Sequence, residues 1–268
     1  MSTDCYKIID FKLNPGTFED TIDRIYILTM EDSDRHEKIM EQVIKANICS
    51  NVSVQVNKGY KKCHKNLKAR LPNHDLCHAS KNVHKDAISR NCKRILHIED
   101  DCEFNDRIHD PVVISEIKDF LQRNDPKIYS LGTVVSIINP IDILANQSHQ
   151  RLIFNTCTHA IIFNREMSEM ISDPSYNFMP DHIDLDTTRH YDKFTYKYPI
   201  AYQRWAETEN SKVWDKFDII KNVIVKPFGL DTENIELGID KINAFFRTIS
   251  VIIFILILFL AYLKLSRK

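Results

Sequence analysis

The feature that most constrains the fold is the alternation of short, β-rich apolar runs with amphipathic segments. Arg24–Leu28 is typical of a buried strand, residues 34–46 carry apolar side chains at helical spacing, and Val52–Val56 alternates with polar residues as a strand does. A strand, a helix and a second strand of these lengths form a βαβ unit, which implies a parallel sheet. Similar runs continue along the chain, so we predict an α/β domain over residues 21–214 after an irregular segment over residues 1–20.

A second strong feature is the apolar run that begins before residue 250. Ile249–Leu263 contains 15 residues without a charge, and its extension back to Ala244 gives 20 residues. A helix of that length measures roughly 30 Å, the thickness of a hydrocarbon core. We therefore predict a transmembrane helix over residues 244–263 rather than a buried core helix, with a linker over residues 215–243 before it and a short basic tail over residues 264–268 after it.

The position of this helix predicts how it reaches the lipid bilayer. Only five residues follow Leu263, so insertion would come after synthesis, and the start of the chain has no apolar run typical of a signal peptide. We expect a single-pass membrane anchor with the large domain facing the cytosol. Seven cysteines without a CxxC pair are consistent with mostly reduced thiols in that compartment.

Charge and glycine content exclude several classes of protein. The chain has 36 basic and 37 acidic side chains, a formal charge of −1, whereas a protein that binds phosphate backbones generally carries a basic excess. We therefore expect no nucleic-acid partner. Only five residues are glycine, and neither a GxGxxG nor a GxxxxGK[ST] phosphate loop occurs.

The strongest local signal for chemistry is the sequence ILHIEDDCEF, in which an apolar strand ends in Glu99, Asp100 and Asp101. Ligands of open α/β sheets bind at the carboxyl ends of strands, and carboxylates there suit a hard divalent cation that also binds phosphate oxygens. Glu99 and Asp101 point to the same side of an extended chain. We predict Asp101 as the direct metal ligand with Glu99 as its partner; a solvated acidic turn or a helix N-cap is the alternative.

Six motifs stand in a recognisable order. They are IDRIYILTMEDSDRHEKI with Arg35, LCHASKNVHKDAI with Cys77 and Ser80, ILHIEDDCEF, NTCTHAIIFNREMSEMI, PDHIDLD and YPIAYQRWAETENS. Together they cover about residues 22–214, and their order resembles glycosyltransferase family 25, which includes bacterial lipooligosaccharide galactosyltransferases and procollagen galactosyltransferases. Leu76 and Lys81 depart from the Gly and His of the family's helix motif.

The resemblance implies a GT-A fold and a metal-dependent glycosyltransferase. Such an enzyme moves a hexose from a nucleotide-sugar, here a UDP-hexose such as UDP-galactose or UDP-glucose, to a hydroxyl acceptor on a glycan or protein. It also implies Mn²⁺ or Mg²⁺, which would neutralise the charge of the departing diphosphate.

The same resemblance assigns roles to residues. An inverting transfer needs a carboxylate that takes the proton of the acceptor hydroxyl, and Asp184 aligns with the family's Pro-Val-Asp element, with Asp181 and Asp186 as rivals. The remaining expected site residues are His182 as a third metal ligand, and Arg35, Asp100 and Ser80 as contacts to the donor.

Three other functions stay open from the sequence. The first is a catalytically inactive, tail-anchored scaffold or adaptor that has kept a transferase-like fold. The second is a metal-dependent phosphoesterase that uses the same carboxylates. The third is a zinc protein, because cysteines and histidines crowd residues 63–84, although no CxxC pair supports a structural zinc site.

Overall fold

A mixed β-sheet of nine strands organises the part of the chain that the computed structural model describes, residues 5–156, 159–179, 182–204, 221–230 and 235–266. The strands are β1 (Tyr6–Lys12), β2 (Arg24–Met30), β3 (Asn51–Asn57), β4 (Arg94–Glu99), β5 (Cys102–Phe104), β6 (Ile128–Ser130), β7 (Val135–Ile138), β8 (His149–Thr156), β9 (Ala160–Asn164), β10 (Lys193–Tyr196) and β11 (Ala201–Gln203). Their order in the large sheet is β1-β3-β2-β4-β9-β6-β10-β8-β7, and β5 pairs with β11 in a separate two-stranded sheet.

Helices flank the sheet on both faces. They are α1 (His36–Ala46), α2 (Gly59–Lys62), α3 (Pro72–Ser89), α4 (Pro111–Asn124), α5 (Pro140–Leu144), α6 (Arg165–Ser172), α7 (Ile183–Asp186), α8 (Lys226–Phe228) and α9 (Ile235–Ser266), with short 3₁₀ turns at Asp106–His109 and Thr187–Arg189 and a π-helical turn at Lys221–Val225. The N-terminus of α4 has a proline at its first position and is capped by Asp110, which accepts a hydrogen bond from the Val112 amide.

Strands β2, β3 and β4 are parallel neighbours joined by α1 and α3, which confirms the predicted βαβ arrangement. Alternate residues of β2 face opposite cores. Ile25 and Ile27 pack in the core that also contains Val43 of α1 and Ile117 of α4, while Tyr26 and Leu28 pack with the residues of α3 and α6. Because both faces of the central strands are covered, these strands read as continuous apolar runs. The α/β class, a large mixed sheet flanked by helices, is therefore confirmed.

Two local expectations differ from the structure. The segment predicted to be irregular contains β1, which pairs antiparallel with β3. This strand lies at the edge of the sheet and is mostly half-buried or exposed, so its sequence lacks the clean alternation of a buried strand. From their sequence, Leu152–Phe154 and His159–Phe163 are also expected to pair as strands across Asn155 and Thr156. That prediction is wrong, because β8 pairs with β7 and β10 whereas β9 lies between β4 and β6.

The last residues of the predicted linker and the predicted membrane helix form one continuous helix, α9. Helix α9 has 32 residues and is long and apolar enough to cross a membrane, but its first turns pack on the domain. The Arg107 guanidinium forms a bidentate ion pair with Asp240 at 2.9 and 2.7 Å, and Ile239 and Ile242 are buried. Residues 235–243 are therefore docked helix, not linker. Residues 215–220, 231–234, 267 and 268 of the predicted linker and tail lie outside the described residues.

The cysteines are only partly as expected. Cys5 and Cys63 form a disulfide with a Cα–Cα distance of 5.6 Å, so the expectation of reduced thiols is wrong for this pair. Four further cysteines, Cys49, Cys77, Cys92 and Cys102, are buried and form no disulfide within the described chain. Cys157 lies outside the described residues. The disulfide links the residue just before the edge strand β1 to the residue just after α2.

Candidate functional site

The acidic segment lies at the carboxyl ends of two parallel strands. Leu28 of β2 pairs with Glu99, the last residue of β4, and the chain then passes through Asp100 and Asp101 into β5. Asp101 is only 7% exposed, and Asp100 is buried beside it. The alternative of a solvated acidic turn is therefore wrong. Two buried carboxylates next to each other need compensating hydrogen bonds or positive charge.

Asp100 receives that compensation from the residues that follow β2. One of its oxygens accepts hydrogen bonds from the Thr29 hydroxyl at 2.6 Å and the Ser33 hydroxyl at 2.7 Å. The other lies 3.1 Å from an Arg35 guanidinium nitrogen. Arg35 is the N-cap residue of α1, so Asp100 fixes this guanidinium at the end of β4. Both of its carboxylate oxygens therefore have partners within the protein, and the expected contact of Asp100 with the donor stays a prediction.

The carboxylate of Asp101 has fewer hydrogen-bond partners than that of Asp100. Its Oδ2 accepts a hydrogen bond from the Gln203 amide at 2.7 Å and lies 3.8 Å from Arg35. Its Oδ1 is buried without a hydrogen-bond partner among the described residues. Burial raises the pKa of Asp101 to about 6, and the neighbouring Asp100 charge adds to the rise, while the Gln203 hydrogen bond and Arg35 oppose it. An unpartnered carboxylate oxygen in such a place is typical of a ligand-binding group.

Glu103 is a fourth carboxylate that sequence reasoning did not assign. It lies on β5, 2.8 Å from the Lys38 ammonium and 2.6 Å from the Arg204 guanidinium. Burial alone would raise the pKa of Glu103, but the two cations outweigh it and the pKa is lowered. The site therefore contains Arg35, Lys38 and Arg204 close to its carboxylates. The signal for Glu103 was present in the sequence, because it follows the acidic triplet directly in ILHIEDDCEF.

Glu99 lines a small pocket together with two buried histidines, His97 and His159, and two isoleucines, Ile161 and Ile183. Burial lowers the pKa of His97 to about 4 and that of His159 to about 3, so both imidazoles are neutral at physiological pH. The Nε2 atom of each has no hydrogen-bond partner within the described chain. Neither histidine was predicted, since isolated histidines in apolar strands carry no distinctive pattern.

Ser80 lies on the inner face of α3, one turn before His84. His84 contacts His97 edge-to-face, with ring centroids 6.0 Å apart. Because α3 runs antiparallel to β4 in the βαβ unit, the turn before His84 lies towards Glu99. The Ser80 hydroxyl is buried and finds no hydrogen-bond partner in the described structure. The structure therefore brings Ser80 to the same side of the sheet as the Glu99 pocket.

The segment that follows residue 181 also reaches this pocket, since Ile183 of α7 lines it with Glu99. His182 occupies the N-cap position of α7 without a side-chain capping hydrogen bond, and its Nδ1 is buried with no hydrogen-bond partner in the described parts of the chain. Each carboxylate oxygen of Asp186 already has a partner within the protein, because they accept hydrogen bonds from the Tyr176 hydroxyl at 2.5 Å and the Met179 amide at 2.8 Å. Asp181 and the side chain of Asp184 lie outside the described residues, so their roles stay predictions.

A metal ion was expected at this edge of the sheet. Among the described residues, no group of three or more His, Cys, Asp and Glu side chains is arranged to hold a metal. This finding gives no support to the zinc alternative at residues 63–84. The Oδ1 of Asp101 is the carboxylate oxygen of this segment that is buried without a hydrogen-bond partner among the described residues, and Glu99 precedes it by two residues in the chain.

Comparisons with known proteins give only distant likenesses. No protein-family model matches the sequence, and a search of curated proteins returned no match. Similar solved structures include a glycosyltransferase involved in the glycosylation of the major capsid of PBCV-1, with a TM-score of 0.40 and 7% identity over 70% of this chain and 96% of that one. HddC from Yersinia pseudotuberculosis has a TM-score of 0.37 and 15% identity over 75% of this chain and 82% of that one. A UDP-glucose pyrophosphorylase complexed with UDP-glucose has a TM-score of 0.34 and 11% identity over 65% of this chain and 72% of that one. Likenesses this distant carry no information about what the present chain binds.

Proposed function

We propose that this chain is a membrane-tethered glycosyltransferase that takes a hexose from a nucleotide-sugar, with UDP as the nucleotide. The observation that carries the proposal is the buried Asp101, whose Oδ1 has no hydrogen-bond partner among the described residues, at the carboxyl edge of the parallel strands. The order of the six sequence motifs supports it independently. A buried carboxylate that is left partly unsatisfied destabilises the fold, and such a residue is retained where a ligand completes its contacts.

The proposed metal is Mn²⁺ or Mg²⁺. Asp101 and Glu99 would hold it with His182 as a third ligand, and the diphosphate oxygens of the donor would complete the shell. The ion would supply positive charge to the diphosphate as it leaves. Asp101 must be ionised to bind a cation, and the nearby Arg35 guanidinium favours that form.

Arg35 is the residue we propose to bind the donor diphosphate. Guanidinium groups recognise phosphate oxygens in a planar, two-pronged geometry, and Asp100 together with the α1 N-terminus holds this one in place. One of its terminal nitrogens is buried without a hydrogen-bond partner in the described chain. Ser80, on the inner face of α3, is proposed to contact the donor from the other side of the Glu99 pocket.

We propose that the acceptor hydroxyl reacts beside the segment that contains α7. Asp184, with Asp181 as its rival, would accept the proton of the acceptor hydroxyl as the sugar is transferred with inversion. The support is positional, since Ile183 and Glu99 line one pocket. The acceptor class proposed is a hydroxyl on a glycan or protein.

A donor screen tests this proposal. The full-length protein is incubated with a panel of nucleotide-sugars, glycan and peptide acceptors and Mn²⁺, and released nucleotide is measured by mass spectrometry. We expect UDP release that needs the metal and is lost in Asp101→Asn. The matched control is Asp119→Asn, an exposed carboxylate of α4 that pairs only with Arg123 among the ion pairs of the described residues. No release from any donor would instead favour the scaffold, and hydrolysis of simple phosphate esters would favour the phosphoesterase.

The compartment of the domain is a separate part of the proposal. We predicted a cytosolic domain, and the Cys5–Cys63 disulfide is an observation against it, because disulfides persist in oxidising compartments. Alkylation of the protein in intact cells distinguishes the two. Blocking of Cys5 and Cys63 by the reagent would support the cytosolic side, whereas protection until a reductant is added would contradict it.

A further inference from the structure

The docking of α9 on the domain leaves too little apolar helix to cross a bilayer. Ser250 is only 2% exposed, and its hydroxyl accepts a hydrogen bond from the backbone amide of Ile138 at 3.1 Å. The helix therefore leaves the domain only after Ser250. The apolar residues beyond it, Val251–Leu263, number 13 and measure about 20 Å, roughly 10 Å short of a hydrocarbon core.

The direction of packing shows which part of the domain lies beside the start of this free helix. Val134 packs with Ile239 and Ile242 in one core, whereas Ile138 contacts Ser250, eight residues further along α9. Strand β7 and helix α9 therefore run in the same direction. Helix α5, which begins two residues after Ile138 and contacts α9, lies further towards the membrane than β7.

The exposed side chains of α5 are those expected at a membrane interface. Ile141 is 59% exposed and Leu144 is 65% exposed. A short surface helix in water would have polar side chains at such exposed positions. Val251 and Phe254, on the neighbouring turns of α9, are still partly covered. An apolar edge thus continues from the anchor helix onto the domain.

We propose that α5 inserts into the boundary between headgroups and acyl chains of the bilayer, so that the domain is held against the membrane in one orientation. Interfacial elements penetrate roughly 5–10 Å, which matches the length that the free part of α9 lacks. The Arg107–Asp240 pair and the contact of Arg247 with Gln150 lock α9 to the domain. The domain therefore follows the tilt of its anchor instead of hanging from a flexible linker.

Depth-dependent fluorescence quenching tests this proposal without any nucleotide-sugar, so its outcome is independent of the proposed enzyme activity. The full-length variant Leu144→Cys is labelled with an environment-sensitive dye and reconstituted into phosphatidylcholine vesicles that contain lipids with a nitroxide near the headgroup. The matched control is Ile44→Cys, because Ile44 is an aliphatic residue of α1 that is 56% exposed. Helix α1 connects β2 and β3, whereas α5 follows β7 at the far edge of the sheet. The wild type is carried through the same labelling to measure how much dye reacts with the native cysteines.

We expect the dye at position 144 to shift its emission to the blue on reconstitution and to be quenched severalfold more than the dye at position 44. Equal quenching at the two positions would overturn the proposal, and so would failure of the protein to float with the vesicles. A second measurement avoids the dye: photoactivatable phospholipids should form adducts with residues 140–144 as well as with 251–263 in the wild type. Adducts confined to α9 would also overturn it.

Discussion

Replacing Asp101 by asparagine should make the protein more stable and inactive at once. Burial and the Asp100 charge raise the pKa of Asp101 from 3.8 to about 6, a difference of roughly two units or about 3 kcal/mol. The folded protein therefore holds the proton more tightly than the unfolded chain. The resulting stability is fully present below about pH 4 and is lost as the pH rises through about 6. Asparagine cannot ionise, so it keeps this stability at every pH while its carbonyl still accepts the Gln203 hydrogen bond.

The assay is thermal unfolding of the full-length protein in detergent with a chelator present, so that no metal binds Asp101. At pH 7.5 the Asp101→Asn variant should unfold roughly 6–12 °C above the wild type, from about 3 kcal/mol in a domain of this size. The difference should shrink towards zero near pH 4. The control Asp119→Asn should unfold with the wild type. An Asp101→Asn variant that is no more stable than the wild type at pH 7.5, or whose gain does not change with pH, would show that burial does not raise the pKa of Asp101.

Three further predictions concern parts of the molecule away from the site. Burial lowers the pKa of His149 to about 4, so this group should remove up to about 3 kcal/mol of stability from the wild type as the pH falls from 6.5 towards 4; in thermal unfolding His149→Phe should lose about that much less than the wild type, because the buried His97 and His159 destabilise both proteins alike. Reduction of Cys5–Cys63, which closes a loop of 58 residues, should lower stability by at most about 4 kcal/mol, and Cys5→Ser should match the reduced protein. Arg107→Ala should weaken the docking of α9 by about 1 kcal/mol, so amide hydrogen exchange over residues 235–243 should quicken roughly fivefold, with no change if the ion pair contributes nothing.

The central sheet was predictable because its strands are buried on both faces. Arg24–Leu28 and Arg94–Ile98 read as continuous apolar runs, and the structure places them side by side as β2 and β4. The acidic residues that end β4 could be located for the same reason, since a run of carboxylates after a buried strand marks the carboxyl edge of the sheet. Elements with less burial, such as β1, lacked that signal.

The contacts of the site could not be read from the sequence, because they join residues far apart in the chain. Gln203 meets Asp101 only because β11 pairs with β5, and Lys38 reaches Glu103 from α1. The docking of α9 was missed for a related reason. The apolar run predicts a membrane helix by composition, but whether its first turns pack on the domain depends on β7 and Arg107, about a hundred residues or more earlier.

Calorimetric titration of the full-length protein with UDP tests whether the acidic edge of β4 binds a nucleotide diphosphate. We predict that UDP binds in the presence of Mn²⁺, that binding disappears when a chelator replaces the metal, and that Asp101→Asn binds in neither condition while Asp119→Asn binds as the wild type does. Binding of equal strength with and without the metal, or binding that Asp101→Asn retains, would contradict the claim that the acidic edge of β4 holds a nucleotide diphosphate through a cation.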